Sequence, residues 1–293
     1  MPSSAPLSIL VTGANGQLGS ELALLAKQYN AIEWFFADRT ALDLTDQTAI
    51  AKLINQRKPN IIINCAAYTA VDKAESEPEL ADTINHLAVA QLADSAKQIN
   101  ASLIHLSTDY VFNGEQCRPY TETDNTDPQS VYGRSKLAGE QAFAASGGAG
   151  IIVRTSWVYS AFGNNFVRTM SRLGRERDSL NVVSDQVGSP TWARDLAQAL
   201  IDICLSDKLA DKRGDIYHYS NEGVCSWYDF AWTIMQQQSL RCALTPITTE
   251  QYPTPAQRPP MSLLWKAKIK QDFNIVIPHW LASLQKALPE FLG

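Results

Sequence analysis

The 293-residue sequence has few cysteines and no cysteine pattern. Cys65, Cys117, Cys204, Cys225 and Cys242 are scattered, odd in number and free of any Cys-x-x-Cys pair. That excludes a legible zinc ligand set or disulfide framework. The four histidines show no metal-ligand spacing. No run approaches the ~20 apolar residues of a membrane span. No basic segment precedes the apolar run at residues 7–11, which is itself too short for a secretory signal core. Positive charge is not in surplus: 25 Lys and Arg face 30 Asp and Glu, for a net charge of −5. This balance argues against a nucleic-acid or anionic-membrane partner. Internal repeats and low-complexity tracts are missing too. The expectation is a reduced, cytoplasmic protein.

What is present, at 45% hydrophobic residues, is enough chain to bury one elaborated domain or two smaller ones. Residues 7–11 read as a buried strand. Thr12-Gly13-Ala14-Asn15-Gly16-Gln17-Leu18-Gly19 follows at once, and Leu18, Leu22 and Leu25 then recur at helical spacing. Strand, glycine loop and helix are the context a dinucleotide site requires. The first Gly permits a tight turn, the second lets backbone approach a pyrophosphate, and the third lets helix pack on strand. The helix N-terminus then offers N–H groups to the phosphates. The spacing here is Gly-x-x-Gly-x-x-Gly rather than Gly-x-Gly-x-x-Gly.

Residues 32–37 read as a second strand ending at Asp38. An acid about 20 residues beyond the loop suits the adenosine ribose hydroxyls. Arg39 beside it suits a 2′-phosphate instead, so NADH and NADPH both stay open. Thr45, after Asp43-Leu44, is the expected N-cap of a helix to Arg57. Residues 60–64 form a third strand, and Cys65-Ala66-Ala67 after it gives either room for a flat adenosine or ordinary packing. Pro78 opens a helix expected to run unbroken to Ile99, with Asn85 on its apolar stripe. A polar group on that face must be hydrogen-bonded. Residues 102–106 are a fourth strand ending in Ser107-Thr108-Asp109, with His105 read as a core histidine.

Tyr132 and Lys136 sit four residues apart, on one face of a helix ended by Gly147-Gly148. A lysine ammonium beside a tyrosine favours the phenolate and lowers the phenol pKa from about 10. Such a pair suits acid–base work on a carbonyl or alcohol. Thr108 supplies a hydroxyl beyond a strand end, where open parallel sheets bind ligands. Residues 246–260 are proline-rich and expected to be an extended surface segment or a lid. The expected fold is α/β: a Rossmann-type doubly wound parallel sheet with a smaller C-terminal α/β substrate domain. Residues 1–153 would form the dinucleotide-binding domain with 180–215 returning to it. Residues 154–179 and 216–293 would form the substrate domain.

Gly13-x-x-Gly16-x-x-Gly19, Asn64-Cys65-Ala66-Ala67, Ser107-Thr108-Asp109-Tyr110-Val111-Phe112 and Tyr132-x-x-x-Lys136 resemble the extended short-chain dehydrogenases/reductases. Tyr68–Glu75, Arg154–Tyr159, Gly163-Asn164-Asn165-Phe166, Asp185–Thr191 and Tyr252–Pro255 narrow the resemblance to the dTDP-4-dehydrorhamnose reductase family, across nearly the whole chain. The resemblance implies reduction of the 4-keto group of dTDP-4-dehydro-L-rhamnose to dTDP-L-rhamnose by hydride from NADPH or NADH. It implies that Tyr132 donates the proton, Lys136 depresses its pKa and holds the nicotinamide ribose, and Thr108 orients the carbonyl oxygen. Cofactor contacts would fall on Gly16, Gln17, Leu18, Asp38, Asp43, Leu44, Ala66, Ala67 and Tyr68. The sugar would lie near Thr108, Asp109 and Trp157, with Trp157 as a core residue the alternative. Some members of the family dimerise through acids around magnesium. Glu21 matches one of these, but Arg194 stands where another acid is expected, so no magnesium or other metal site is expected here. The chain would act as a monomer or homodimer. Other readings are a nucleotide-sugar dehydratase or epimerase, and a non-catalytic protein like the regulatory subunit of methionine adenosyltransferase. Tyr110 stands where a dehydratase has the second residue of an Asp-Glu pair, which favours simple reduction.

Overall fold

The structure, a computed structural model, describes residues 6–291. The first half alternates strand and helix: β1 (Ser8–Thr12), α1 (Gln17–Ala26), β2 (Glu33–Ala37), α2 (Gln47–Arg57), β3 (Ile61–Asn64), the short α3 (Val71–Ala74) and α4 (Pro78–Asp82), α5 (Ala88–Gln98), β4 (Ser102–Thr108), α6 (Val131–Ser146) and β5 (Gly150–Thr155). The second half is cut into shorter pieces. These are β6 (Val158–Tyr159), α7 (Phe166–Glu176), β7 (Ser179–Val183), β8 (Val187–Gly188), β9 (Thr191–Trp192), α8 (Ala193–Cys204), β10 (Arg213–His218), β11 (Cys225–Ser226), α9 (Trp227–Gln237), β12 (Ala243–Ile247), α10 (Ala267–Phe273) and α11 (Trp280–Ala287).

Six strands form one parallel sheet in the order β2-β1-β3-β4-β5-β10. Successive side chains of a strand point to opposite faces. Ile9, Val11, Ile61, Ile63, Ile104 and Leu106 therefore join a core under α1 and α8, while Leu10, Ile62 and Leu103 join one under α2, α5 and α6. Covering both faces is what makes these strands near-continuous apolar runs. The chain leaves β1 for β2 on one side and reaches β3 on the other, so the sheet's switch point lies between β1 and β3. Ligand crevices open at the carboxyl ends of strands at such a point.

The second half builds its own core from Val167 and Met170 of α7, Phe230 and Ile234 of α9 and Leu284 of α11. The expected boundary at residue 216 is corrected, because β10 pairs with β5 from Arg213 to His218 and belongs whole to the main sheet. Residues 180–183 are corrected the other way: β7 pairs with β12, away from that sheet. Pro246 lies inside β12, in a two-stranded pair, where a missing N–H is tolerated. That part of the proline-rich segment is thus a strand. Asp46, not Thr45, caps α2 by accepting from Ala49 N; the Thr45 hydroxyl turns back to Asp43.

The helix expected over residues 78–99 is interrupted by a π turn at Thr83–Leu87. The turn coincides with a tertiary contact that periodicity does not encode. Gly139 of α6 abuts the carbonyl of Asn85, so closely that any side chain would overlap it. The buried Asn85 side chain accepts from Tyr68 N at 2.8 Å and donates to Tyr68 O at 3.1 Å and Ser135 Oγ at 3.0 Å. It ties the loop after β3 to α6. π turns of this kind concentrate at functional sites.

Candidate active site

A cavity of about 770 Å³ opens at the carboxyl ends of β1, β3, β4 and β5. Its wall includes Gly13, Gly16, Gln17, Leu18, Arg39, Asp43, Leu44, Ala66, Ala67, Tyr68, Thr108, Asp109, Tyr132, Lys136 and Trp157. All but two of the expected site residues therefore meet in one place. Gly19 is one exception: it lies inside α1 against the Gly13 carbonyl, behind the loop. Asp38 is the other. Its carboxylate accepts from Thr40 N, Ala41 N and Asn15 Nδ2, and these bonds, Ala41 first, hold its pKa below the usual carboxylate value. Asp38 shapes its own turn, while Arg39, 82% exposed at its side chain, reaches the cavity wall.

One side of the cavity is backbone. Gly13 has φ +69°, and an added Cβ would stand 2.8 Å from Ala66. So the loop after β1 and the small residues after β3 serve both packing and access. Gly16 caps α1 without a side-chain hydrogen bond, and Gly16, Gln17 and Leu18 line the cavity where the first-turn N–H groups lack intrahelical partners. These features fit a dinucleotide: a close backbone cradle and unpaired donors for a pyrophosphate.

The opposite side is made of buried side chains. Ser130 caps α6 by accepting from Gly133 N, and Glu75 accepts from Val131 N, which fixes the helix start. Tyr132 lies on the first turn, its ring edge-on to Tyr110 at 5.4 Å. Thr108 closes β4; its hydroxyl donates to Asp109 Oδ1 at 3.0 Å and also lies by the Tyr132 phenol. Burial pushes Asp109 up to about 6, opposed by the neighbouring Ser262 and Thr108 hydroxyls.

The expected effect of Lys136 on Tyr132 is corrected. Lys136 Nζ donates to the Leu106 carbonyl at 2.6 Å and stands 3.5 Å from His105 Nε2, inside the sheet edge. Burial pushes Tyr132 up to about 12, with the nearby Thr108 hydroxyl opposing and the Asp109 carboxylate adding to it. Burial also brings Lys136 down to about 8, opposed by the Glu140 carboxylate. Glu140, one turn further on, is held by Arg154 at 2.6 Å and by the Ser107 hydroxyl, all nearly fully buried. Sequence reading missed this ion pair. Its signal was an acid and a base on elements already assigned to the core.

Trp157 stands between the cavity and the second core. It lines the cavity, and its indole stacks on Trp227 at 3.5 Å with φ +49°. Trp227 also lines a second cavity of about 740 Å³ with Phe166, Asn181, Arg177, Tyr252 and Arg258. Arg258, from the proline-rich segment, pairs with Asp72 at 2.7 Å across the cleft. Neither Arg258 nor this cavity was singled out in the sequence. Glu21 is fully buried, accepting from Ser160 and from Arg194 at 2.8 Å, and Arg194 also pairs with Glu290.

A family model described as RmlD substrate binding domain matches residues 7–292. The chain belongs to this family. It is 42% identical to a dTDP-4-dehydrorhamnose reductase of Aggregatibacter actinomycetemcomitans over 94% of this chain and 97% of the relative. Among solved structures, a dTDP-4-dehydrorhamnose reductase from Clostridium acetobutylicum superposes with a TM-score of 0.92 at 42% identity, covering 98% of this chain and 100% of that one. A dTDP-4-dehydrorhamnose reductase from Bacillus anthracis, in complex with NADP, also gives 0.92, at 37% identity, covering 97% and 99%. Among the described residues, no helix is long and apolar enough to cross a membrane.

Proposed function

We propose that the chain reduces the 4-keto group of dTDP-4-dehydro-L-rhamnose to give dTDP-L-rhamnose, the last step in making that sugar nucleotide. The observation that carries the reading is the meeting of Thr108, Tyr132 and Lys136 in one cavity with the glycine loop. The named relatives support it at the level of the whole chain.

The backbone of Gly16, Gln17 and Leu18 would hold the cofactor diphosphate, and Ala66, Ala67 and Tyr68 would face its adenosine half. Bound reduced nicotinamide supplies the hydride to C4 of the sugar. Tyr132 gives its phenolic proton to the oxygen of that carbon, so the carbonyl becomes a hydroxyl with one hydride and one proton gained. A phenol pushed up to about 12 is fully protonated near neutral pH, as a donor must be. Thr108 hydrogen-bonds the same oxygen. Lys136, as an ammonium, would hold the nicotinamide ribose. Water from solvent then restores the Tyr132 proton. The reductant is NADPH in this reading: Asp38 is occupied by its turn, and Arg39, exposed and only loosely paired with Asp43 at 3.8 Å, can meet a 2′-phosphate. NADH is the weaker substrate.

The thymidine diphosphate end goes to the second cavity, where Phe166, Trp227 and Tyr252 offer apolar faces and Arg177 and Arg258 offer charge. In this division the sheet half holds the cofactor and the second half holds the sugar nucleotide. The protein works in the cytoplasm as a monomer or homodimer.

The test is spectrophotometric. Purified protein is mixed with dTDP-4-dehydro-L-rhamnose and NADPH or NADH, and loss of absorbance of the reduced nicotinamide is followed. Rapid loss with dTDP-L-rhamnose as product is expected. No loss with either cofactor, from protein that binds nucleotide, would leave another keto sugar or the non-catalytic reading.

A further inference from the structure

A line of buried polar groups crosses the sheet beneath the site. Thr12 Oγ1, at the end of β1, donates to Asn64 Oδ1 at 2.6 Å. Asn64 Nδ2, at the end of β3, meets His105 Nδ1 on β4 at 3.0 Å. His105 Nε2 stands 3.5 Å from Lys136 Nζ on α6. Thr12, Asn64, His105 and Lys136 are all at most 2% exposed. The line therefore joins the residue before the glycine loop to the ammonium at the reacting end of the cavity. His105 does not line the cavity, so it acts on the reaction only through Lys136.

The chemistry of the line is restrictive. An ammonium has three donors and no acceptor. Nε2 can therefore serve a charged Lys136 only as an acceptor, which puts the ring proton on Nδ1. Nδ1–H then needs the carbonyl end of the Asn64 amide, and the amide NH₂ needs the Thr12 oxygen. A hydroxyl both donates and accepts, so Thr12 tolerates either amide orientation. A neutral Lys136 is served by the mirror arrangement, with the proton on Nε2 and the amide NH₂ facing Nδ1, the orientation in which Asn64 stands here. A half-turn of the Asn64 amide thus exchanges two proton arrangements, one for each state of the lysine. Burial and the nearby lysine keep His105 well below its ordinary pKa, so the ring stays neutral in both.

We propose that His105 is a positioning residue for Lys136: backed by Asn64 and Thr12, it accepts a hydrogen bond from the ammonium and keeps Lys136 charged and aimed. This rests on the role proposed above for Lys136. The other charged and titratable groups around the pair are few. Glu140 lies on the same helix and favours the charged lysine, Arg154 of β5 is paired to Glu140, and Tyr132 and Asp109 lie toward the cavity.

The experiment compares His105→Leu with His105→Gln, whose amide oxygen can still accept. The first readout needs no turnover: the Lys136 side chain is titrated by NMR in protein carrying ¹³Cε-lysine, with the signal assigned through Lys136→Met. The second is kcat/KM for NADPH against pH, which reports the free enzyme. In His105→Leu, the lysine titration and the alkaline limb should both move to lower pH by about one pH unit. His105→Gln should restore most of that shift, and Asn64→Leu should move it in the same direction by less. A Lys136 titration that stays put in both folded His105 variants would overturn the proposal. A lysine that shifts as expected while the alkaline limb does not would leave His105 beside Lys136 but remove Lys136 from the reaction, which is a failure of the functional reading instead.

Discussion

The two sides of the cavity are built by opposite means. The cofactor side is backbone and small residues: Gly13, Gly16, Ala66 and Ala67 contribute shape and N–H groups and almost no side chain. The reacting side is buried polar side chains, Thr108, Tyr132 and Lys136, supported by a buried ion pair one turn below. The first side binds by close approach, which tolerates no added atoms. The second works by protons held in a poor solvent, which tolerates no lost partners. Substitutions on the two sides should therefore fail in different ways.

The largest expected effect is on the chemical step. Tyr132→Phe keeps the ring and its edge contact with Tyr110 but removes the proton. kcat should fall by about 10³, within the usual range for losing a general acid. NADPH affinity, measured by fluorescence titration, should stay within about twofold because Tyr132 is not part of the diphosphate cradle. Gly13→Val is the counterpart. With φ +69° and an added Cβ 2.8 Å from Ala66, it strains the loop. It should weaken NADPH by about tenfold or more while leaving the pH profile of turnover at saturating cofactor in place. If both variants lose affinity and chemistry together, the two sides are one unit and the contrast is wrong.

The ion pair comes next. Glu140 and Arg154 are each only 2% exposed. Removing one partner leaves the other charged and alone, at a cost of about 3–5 kcal/mol. Glu140→Leu should lower urea-unfolding stability by that amount, and adding Arg154→Met should recover part of it. Full additivity of the two losses would show that the pair is not coupled.

How much of this was legible follows the same contrast. The strands of the sheet half were readable because burial on both faces makes apolar runs, and Gly13 to Gly19 was readable because its flanks are a strand and a helix. The Tyr132 and Lys136 pair was readable from helical spacing. What the spacing did not contain was direction. Lys136 points at Leu106 and His105 and not at the phenol, partners on β4 that lie far from it in the chain. The apolar stripe of residues 78–99 likewise concealed the π turn, which lies against Gly139 of α6. In the second half, two-residue strands such as β8 and β9 carry no period, so the pairing of β7 with β12 and the return of β10 to the main sheet had no local signal.

Lys136 separates the two sides by pH. Its pKa of about 8 lies below the ordinary 10.5, so between those values the unfolded chain holds more protons than the folded one. Stability contributed by this group is lowest below about pH 8 and rises as pH climbs toward 10.5. Activity runs the other way, because a neutral lysine holds the nicotinamide ribose less well; kcat/KM should decline above about pH 8. Lys136→Met should then be inactive yet more stable at pH 7, by roughly 1–3 kcal/mol, because a desolvated ammonium is gone. A variant less stable than the parent would mean that the bond to Leu106 outweighs the burial of the charge.

The smallest effect sharpens the cofactor side alone. Arg39 is exposed, and a screened surface charge contributes little to folding, so Arg39→Ala should not change the melting temperature measurably. Its effect should be confined to the 2′-phosphate: KM for NADPH rises by about tenfold and KM for NADH stays the same, since charge-assisted bonds to phosphate are the stronger class. Asp38→Ala tests the opposite assignment. The carboxylate holds Thr40 N and Ala41 N in place, so its loss should loosen the turn and weaken both cofactors alike. A selective loss of NADH in Asp38→Ala would instead return Asp38 to the ribose, and would mean that the turn opens when the cofactor enters.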